Sequence, residues 1–185
     1  VGGFTKDGNL WPHGLARLCF GAYVDDREIA LAAVKQNGFA LMYASDALKA
    51  DREIVVTAFV QLEWIDAEKA AELPTVREVV LAAVQKDGYA LRFASDALKA
   101  DREVVLAAVQ QSRLALEYAS DALKADRQVA LAAVQQSGPA LEYASDVLKA
   151  DREIVLAAVK QDGIALAYAS DALKADEEIR RAAGV

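Results

Sequence analysis

The chain has 185 residues, a net charge of −7 and a sequence pI of about 4.8, with a hydrophobic share of 55% and an aromatic share of 7%. The acidic balance removes the attraction to phosphate on which nucleic-acid binding depends, so we expect no nucleic-acid partner. No apolar run reaches the roughly 20 residues that a membrane-spanning helix needs. We therefore expect a soluble chain without a transmembrane segment, and the lone Cys19 allows no intrachain disulfide.

The first 25 residues differ from the rest of the chain. Residues 1–13 are rich in glycine and predict an irregular N-terminal lead. Residues 14–25 align without gaps to the second half of the unit that follows, and their apolar positions agree with it. We therefore predict that 14–25 form a half-repeat cap.

From residue 26 onwards, a 25-residue unit close to DREIVLAAVKQDGxALxYASDALKA recurs without any change of length. We number the copies repeats 1 to 6 and count positions within each from 1; they span 26–50, 51–75, 76–100, 101–125, 126–150 and 151–175. A fixed period in this range is typical of repeat proteins, whose units bury apolar surface by stacking on their neighbours. The pattern predicts an all-α fold: a single α-solenoid over 14–185, of about six two-helix repeats with half-repeat caps.

Repeat 6 shows how one unit is expected to fold. Asp151 is a good N-cap because its carboxylate can accept from the free amides of the first turn. The apolar run 154–159 predicts a helix buried on most sides, and Gly163 predicts its end in a left-handed conformation. A second helix of about ten residues should follow, with Tyr168 on its apolar face.

Two segments depart from the pattern. In repeat 2, Glu63 replaces the glycine, so the second helix should either be longer or bend away before Pro74. This departure has two interpretations: drift in a tolerant repeat, or adaptation to a partner. At the C-terminus, residues 176–185 place Arg180 and Arg181 where other copies are apolar, which predicts a polar capping helix.

Two columns of equivalent residues run through the repeats. Position 18 is aromatic and predicts a core ladder, with a ligand-binding box as the alternative: Tyr43, Phe93, Tyr118, Tyr143 and Tyr168. Position 2 is arginine, flanked by carboxylates at positions 1 and 3. This column predicts solvated salt bridges rather than a phosphate-binding stripe, because the carboxylates offset its charge.

The sequence offers no constellation for catalysis. His13 is the only histidine, so neither a serine–histidine–carboxylate site nor a histidine-based metal site can be assembled repeatedly. The serines at position 20 precede aspartates and suit helix capping better than nucleophilic attack. We expect no enzyme, no catalytic residue, no metal and no cofactor.

Position 14 is the strongest candidate for partner binding. It follows the glycine, where a side chain should lie at the solvent edge, and it is aromatic in the first three repeats: Phe39, Trp64 and Tyr89. Aromatic side chains at a surface are frequent hot spots of protein interfaces. We predict that these three residues bind a partner; the alternative is that they only pack between repeats.

The segments DREVVLAAVQ, QKDGYALRFASDALKADREVVLAAV and LEYASDALKADR resemble the short helical repeats of DUF4116, a family of unknown function. The resemblance covers roughly residues 14–183 and is weakest in 51–75. Such repeats occur in secreted effectors of intracellular bacteria and, in large numbers, in unicellular algae and other protists. The resemblance implies no catalytic residue and no cofactor.

The sequence therefore predicts a non-enzymatic scaffold that mediates protein–protein interaction. The alternative is a peripheral accessory subunit docked on a large organellar complex, such as a photosynthetic membrane complex, in a unicellular alga or other protist. The two differ in whether the protein fractionates freely or with a large assembly. The residues do not indicate a compartment or the identity of a partner.

Overall fold

A computed structural model describes residues 25–185 of the chain. The predicted lead 1–13 and, apart from Asp25, the predicted half repeat 14–25 lie outside the described residues, as do His13 and Cys19. Over 25–185 the regular structure is helical, with a single isolated bridge residue at Ala44 and no extended strand. The prediction of an all-α helical-repeat fold of the solenoid class is confirmed.

Each repeat begins with a long helix, as predicted. They are Arg27–Gln36, Arg52–Gln61, Val76–Lys86, Arg102–Gln111, Arg127–Gln136 and Arg152–Gln161, with the capping helix Glu177–Ala183 at the C-terminus. The aspartate cap is also confirmed, since the Asp151 carboxylate accepts from the amides of Glu153 (2.9 Å) and Ile154 (3.2 Å). The same two bonds recur at Asp26, Asp51, Asp101, Asp126 and Asp176.

The second half of a repeat is not one helix of about ten residues but two short pieces. The first is a 3-10 segment, at Gly38–Tyr43, Gly88–Phe93, Gly138–Tyr143 and Gly163–Tyr168, and is replaced by the α-helical turn Ala115–Tyr118 in repeat 4. The second is a single turn, at Leu48–Ala50, Asp96–Lys99, Asp121–Lys124, Asp146–Lys149 and Asp171–Lys174. Two extended residues separate the pieces, Ala169 and Ser170 in repeat 6.

A hydrogen bond between repeats explains this division. The amide of Ser170 donates to the carbonyl oxygen of Lys149 in the preceding repeat (2.9 Å), and Ser120 and Ser145 donate in the same way to Lys99 and Lys124. Because this amide donates to a neighbouring repeat, it is not available for a hydrogen bond within its own helix, and the helix ends there. The predicted capping role of the serines is confirmed at Ser45 and Ser120, whose hydroxyls accept from the amides of Leu48 and Leu123 (3.4 Å each). It is wrong for Ser145 and Ser170, whose buried hydroxyls have no hydrogen-bond partner within residues 25–185.

The glycine at position 13 has a different role from the one predicted. Among the described residues, the positive φ angles belong to Glu63 and Gly184; none of the glycines at position 13 (Gly38, Gly88, Gly138 and Gly163) has one. A β-carbon added at Gly138 would lie less than 3.0 Å from the carbonyl oxygen of Ala158 in the next repeat, and Gly163 meets Ala183 in the same way. Glycine is therefore needed for the close approach of two backbones, not for a left-handed turn.

The chain divides into two compact units. Unit 1 comprises residues up to Ala83 together with Phe93–Ser95, and unit 2 comprises Val84–Arg92 and Asp96–Val185. In unit 1 the long helix of repeat 1 packs on that of repeat 2; in unit 2 the long helices of repeats 4, 5 and 6 and the capping helix pack in sequence. Fully buried valines, isoleucines and alanines of these helices form the core of each unit. The single domain over 14–185 stays a prediction.

The second half of repeat 2 is reorganised. It contains the helix Ala67–Glu72, which ends before Pro74, so the alternative of a longer helix is wrong.

Repeat 3 has Val76 in place of the capping aspartate, and Thr75 and Glu78 form a reciprocal capping box instead (Thr75 Oγ1 to Glu78 Oε2, 2.8 Å). Because residue 76 is valine, Arg52 has no capping aspartate to pair with in repeat 3. It donates instead to the carbonyl oxygens of Ala70 and Leu73 at the end of the short helix.

Candidate functional site

The three residues predicted to bind a partner occupy different environments. Phe39 is 46% exposed, Trp64 is 9% exposed and Tyr89 is half-buried. The expectation that position 14 lies at the solvent edge is therefore wrong for Trp64. The reason is local: Glu63 has φ +56°, and the amide of Trp64 donates to the carbonyl oxygen of Phe59 (2.9 Å), so the chain turns back on the preceding helix.

In unit 1 these rings form an aromatic cluster of Phe39, Phe59, Trp64 and Phe93. Ring centroids lie 5.1 Å apart for Trp64 and Phe93, 5.4 Å for Phe59 and Trp64, and 5.8 Å for Phe39 and Phe93. The ring of Phe39 meets Trp64 edge-on at 6.3 Å. Such edge-to-face and tilted pairs add to the stabilisation from burial. The cluster is a core whose outermost member, Phe39, reaches solvent.

In unit 2, Tyr89 belongs to a tyrosine–arginine cluster with Arg92 and Tyr118. The guanidinium carbon of Arg92 lies 5.6 Å from the ring centroid of Tyr89 and 5.7 Å from that of Tyr118, within cation–π range of both. The two rings meet edge-on at 5.7 Å, and Arg92 donates to the hydroxyl of Tyr89. That hydrogen bond is the main cause that raises the pKa of Arg92, and burial raises the pKa of Tyr118.

Arg92 is not among the site residues predicted from the sequence. Position 17 varies between repeats, and nothing in the periodicity distinguishes an arginine there from a solvated side chain. The sequence offers one signal: repeat 3 is the only repeat with an arginine at position 17. The equivalent residues are Met42, Ala67, Glu117, Glu142 and Ala167.

The aromatic column at position 18 is only in part the predicted core ladder. Phe93 is fully buried, but Tyr43 is exposed and the tyrosines of unit 2 are half-buried: Tyr118, Tyr143 and Tyr168. The pKa of Tyr143 is raised, first by burial and then by the charges of Glu142 and Glu117. In unit 2 the column therefore forms a partly accessible aromatic surface with carboxylates beside it.

The arginine column forms the predicted salt bridges between consecutive repeats. Arg27 pairs with Asp51 at 2.7 Å, Arg102 with Asp126 at 3.4 Å and Arg127 with Asp151 at 3.3 Å. Because these pairs are exposed to solvent, each contributes little to stability. Each aspartate nevertheless serves two repeats at once, as the cap of its own helix and as the acceptor for the preceding arginine.

The shared aspartates predict loss of stability in acid. The hydrogen bond from Arg27 lowers the pKa of Asp51, and the amides of Val129 and Ile179 lower those of Asp126 and Asp176. Carboxylates with a depressed pKa stabilise the fold above their usual pKa of about 3.9, and that contribution is lost as pH falls through the depressed values. We expect a melting temperature that is nearly constant from pH 7 to 5 and falls below pH 4.

Far-UV circular dichroism melts at pH 7, 5, 4 and 3 would test this expectation. Asp126→Asn should weaken the acid dependence, whereas Asp121→Asn, which replaces a fully exposed carboxylate, should leave it unchanged. A melting temperature that does not differ between pH 7 and pH 3 would show that the caps and bridges contribute nothing to folding.

Residues 25–185 contain no group of three or more histidine, cysteine, aspartate and glutamate side chains arranged to hold a metal ion. None of the helices in this range combines the length and the apolar character needed to cross a bilayer.

Consecutive capped helices, backbone bonds between repeats and recurring surface columns define an all-α helical-repeat protein of the solenoid class. The family model of DUF4116, described as a domain of unknown function, matches residues 26–61, 77–124 and 126–181, and the chain belongs to this family. The gap in the match after residue 61 falls on the reorganised half of repeat 2. No curated protein and no solved structure matches the chain.

Proposed function

We propose that the protein is a non-enzymatic helical-repeat scaffold that binds other proteins. The observation that carries this proposal is the repeated, partly accessible aromatic column of unit 2, formed by Tyr118, Tyr143 and Tyr168. In the same unit, Ile164 and Val147 are 66% and 78% exposed. Repeat proteins typically bind partners over such recurring surfaces, and tyrosine is enriched at interface hot spots.

In this proposal the three residues at position 14 no longer act alike. Phe39 and Tyr89 have accessible ring surface and can contact a partner directly. Trp64 would act from beneath, by holding the ring of Phe39 in place within the aromatic cluster. Partner binding through Phe39, Trp64 and Tyr89 thus stays a prediction, with Trp64 in a supporting role.

Site-specific crosslinking would test the scaffold proposal. A photoreactive residue at Ile164 should crosslink to a defined protein in an extract of the source cells. The same probe at Gln111, an exposed position of a long helix, should not. Identical and diffuse crosslinking from both positions would contradict the proposal. Migration of the crosslinked product with a large assembly would favour the alternative of a docked accessory subunit.

A further inference from the structure

One tyrosine of the unit 2 column, Tyr118, already contacts the guanidinium of Arg92, and the column is suited to bind further guanidinium groups. We propose that Tyr143 and Tyr168, together with Glu117 and Glu142, bind the arginine side chains of a basic segment in a partner protein. This inference rests on the proposed scaffold function, because it names the chemistry of the partner for the same surface.

Arg92 provides the structural precedent. Its guanidinium lies over the ring of Tyr118 from the adjacent repeat and over Tyr89 in its own repeat, at nearly equal distances. The hydroxyl of Tyr89 accepts a hydrogen bond from the same guanidinium. A cation from the chain itself therefore lies against the ring face of Tyr118, the position-18 tyrosine of repeat 4.

The next two tyrosines of the column, Tyr143 and Tyr168, have a carboxylate in the preceding repeat where Tyr118 has the guanidinium of Arg92. The residue equivalent to Arg92 is Glu117 before Tyr143 and Glu142 before Tyr168. The segments that carry these tyrosines, Gly138–Tyr143 and Gly163–Tyr168, pack against each other, and Ala115–Tyr118 packs against the first of them. Where repeat 3 supplies a cation for the tyrosine, repeats 4 and 5 supply carboxylates that would attract one.

The electrostatics around Tyr143 favour a cationic ligand. Burial and then the charges of Glu142 and Glu117 raise the pKa of the Tyr143 hydroxyl, and the charge of Arg113 opposes them. A carboxylate beside a partly desolvated aromatic face combines a charge-assisted bond with cation–π attraction, and both suit a guanidinium. The overall charge of −7 would also speed the approach of a basic partner.

The spacing of the repeats constrains the partner. Successive helices of a stack lie about 8–10 Å apart, so successive tyrosines should accept cations at about that interval. In a polyproline II segment, which rises about 3.1 Å per residue and has three residues per turn, this interval corresponds to arginines about three residues apart on one face. The inferred partner is thus a basic segment with arginines at this spacing, not an isolated cation.

A peptide with two arginines three residues apart in a glycine–serine background provides the probe. Titrated into the 15N-labelled full chain, it should shift the amide signals of Tyr143 and Tyr168 in a saturable way, and added salt should weaken the binding. The same peptide with both arginines replaced by glutamine should produce no shift. Because Arg92 already lies against the ring of Tyr118, the amide signal of Tyr118 should shift less than that of Tyr143.

Paired variants separate this site from general attraction to an acidic protein. Glu142→Gln combined with Tyr143→Leu should weaken peptide binding about tenfold, whereas Asp121→Asn, which removes an exposed charge elsewhere in unit 2, should have little effect. Equal weakening by both proteins, or equal binding of spermine and the arginine peptide, would overturn the inference. So would a crosslinked partner at Ile164 that lacks a basic segment, although that result would leave the scaffold function intact.

Discussion

Replacing Trp64 with alanine is expected to lower the free energy of unfolding of unit 1 by about 3–5 kcal/mol, as for other buried tryptophans. The ring is almost fully enclosed and contacts Phe59 and Phe93 as well as Phe39. Its removal would leave a cavity that the rigid helix ends around it cannot close. Urea unfolding followed by far-UV circular dichroism would measure the loss.

Phe39→Ala is the matched control within the same aromatic cluster. Because this ring is 46% exposed, its truncation should cost only about 1 kcal/mol. A Trp64→Ala protein as stable as the wild type, with partner binding lost, would contradict the core role. It would restore the interpretation of Trp64 as a surface anchor that the sequence alone suggests.

Gly138→Ala is expected to destabilise unit 2 by about 2–3 kcal/mol, the usual cost of overpacking a close contact. The added methyl group would overlap the carbonyl oxygen of Ala158 and crowd the side chain of Gln161. Since both belong to repeat 6, repeats 5 and 6 would have to move apart. For a chain of this size we expect the melting temperature to fall by about 5–10 °C.

Gly184→Ala distinguishes crowding from backbone strain. Its φ is +81°, but an added β-carbon there would have no neighbour within 4 Å. This variant should cost about 1 kcal/mol from the left-handed conformation alone. If Gly138→Ala melts no lower than Gly184→Ala, the close approach of repeats 5 and 6 is not a requirement of the fold.

Repeat 4 shows how the fold accommodates a side chain at this position. It has Arg113 in place of the glycine, and its following segment is the α-helical turn Ala115–Tyr118 instead of a 3-10 segment. The arginine itself is exposed. The backbone therefore changes conformation locally so that the side chain leaves the space between two repeats.

The features that were predictable from sequence are those encoded within a few residues. The aspartate cap and the apolar run define each long helix, and both are local signals. The salt bridges followed from a strict 25-residue period, because a charge that recurs at one position must face its counterpart in the next copy. The same period sufficed for the all-α repeat fold, whereas the family was indicated by its resemblance to the recurring DREVVLAAV and YASDALK segments.

The features that were not predictable depend on contacts between repeats. The division of the second helix depends on an amide of Ser170 bonded to Lys149 in another repeat, which no local pattern encodes. The role of Gly138 depends on how closely Ala158 approaches. The burial of Trp64 follows from a left-handed glutamate at residue 63, a conformation that glutamate rarely adopts.

The contacts that join neighbouring repeats make the 25-residue unit modular. Arg102 meets Asp126, and Arg127 meets Asp151, so removal of residues 126–150 would present Arg102 with an equivalent aspartate and with Glu153 in place of Gln128. Ser170 would likewise find Lys124 where it now finds Lys149. Unequal recombination between near-identical repeats could therefore lengthen or shorten such a gene by whole units and still yield chains whose surfaces match.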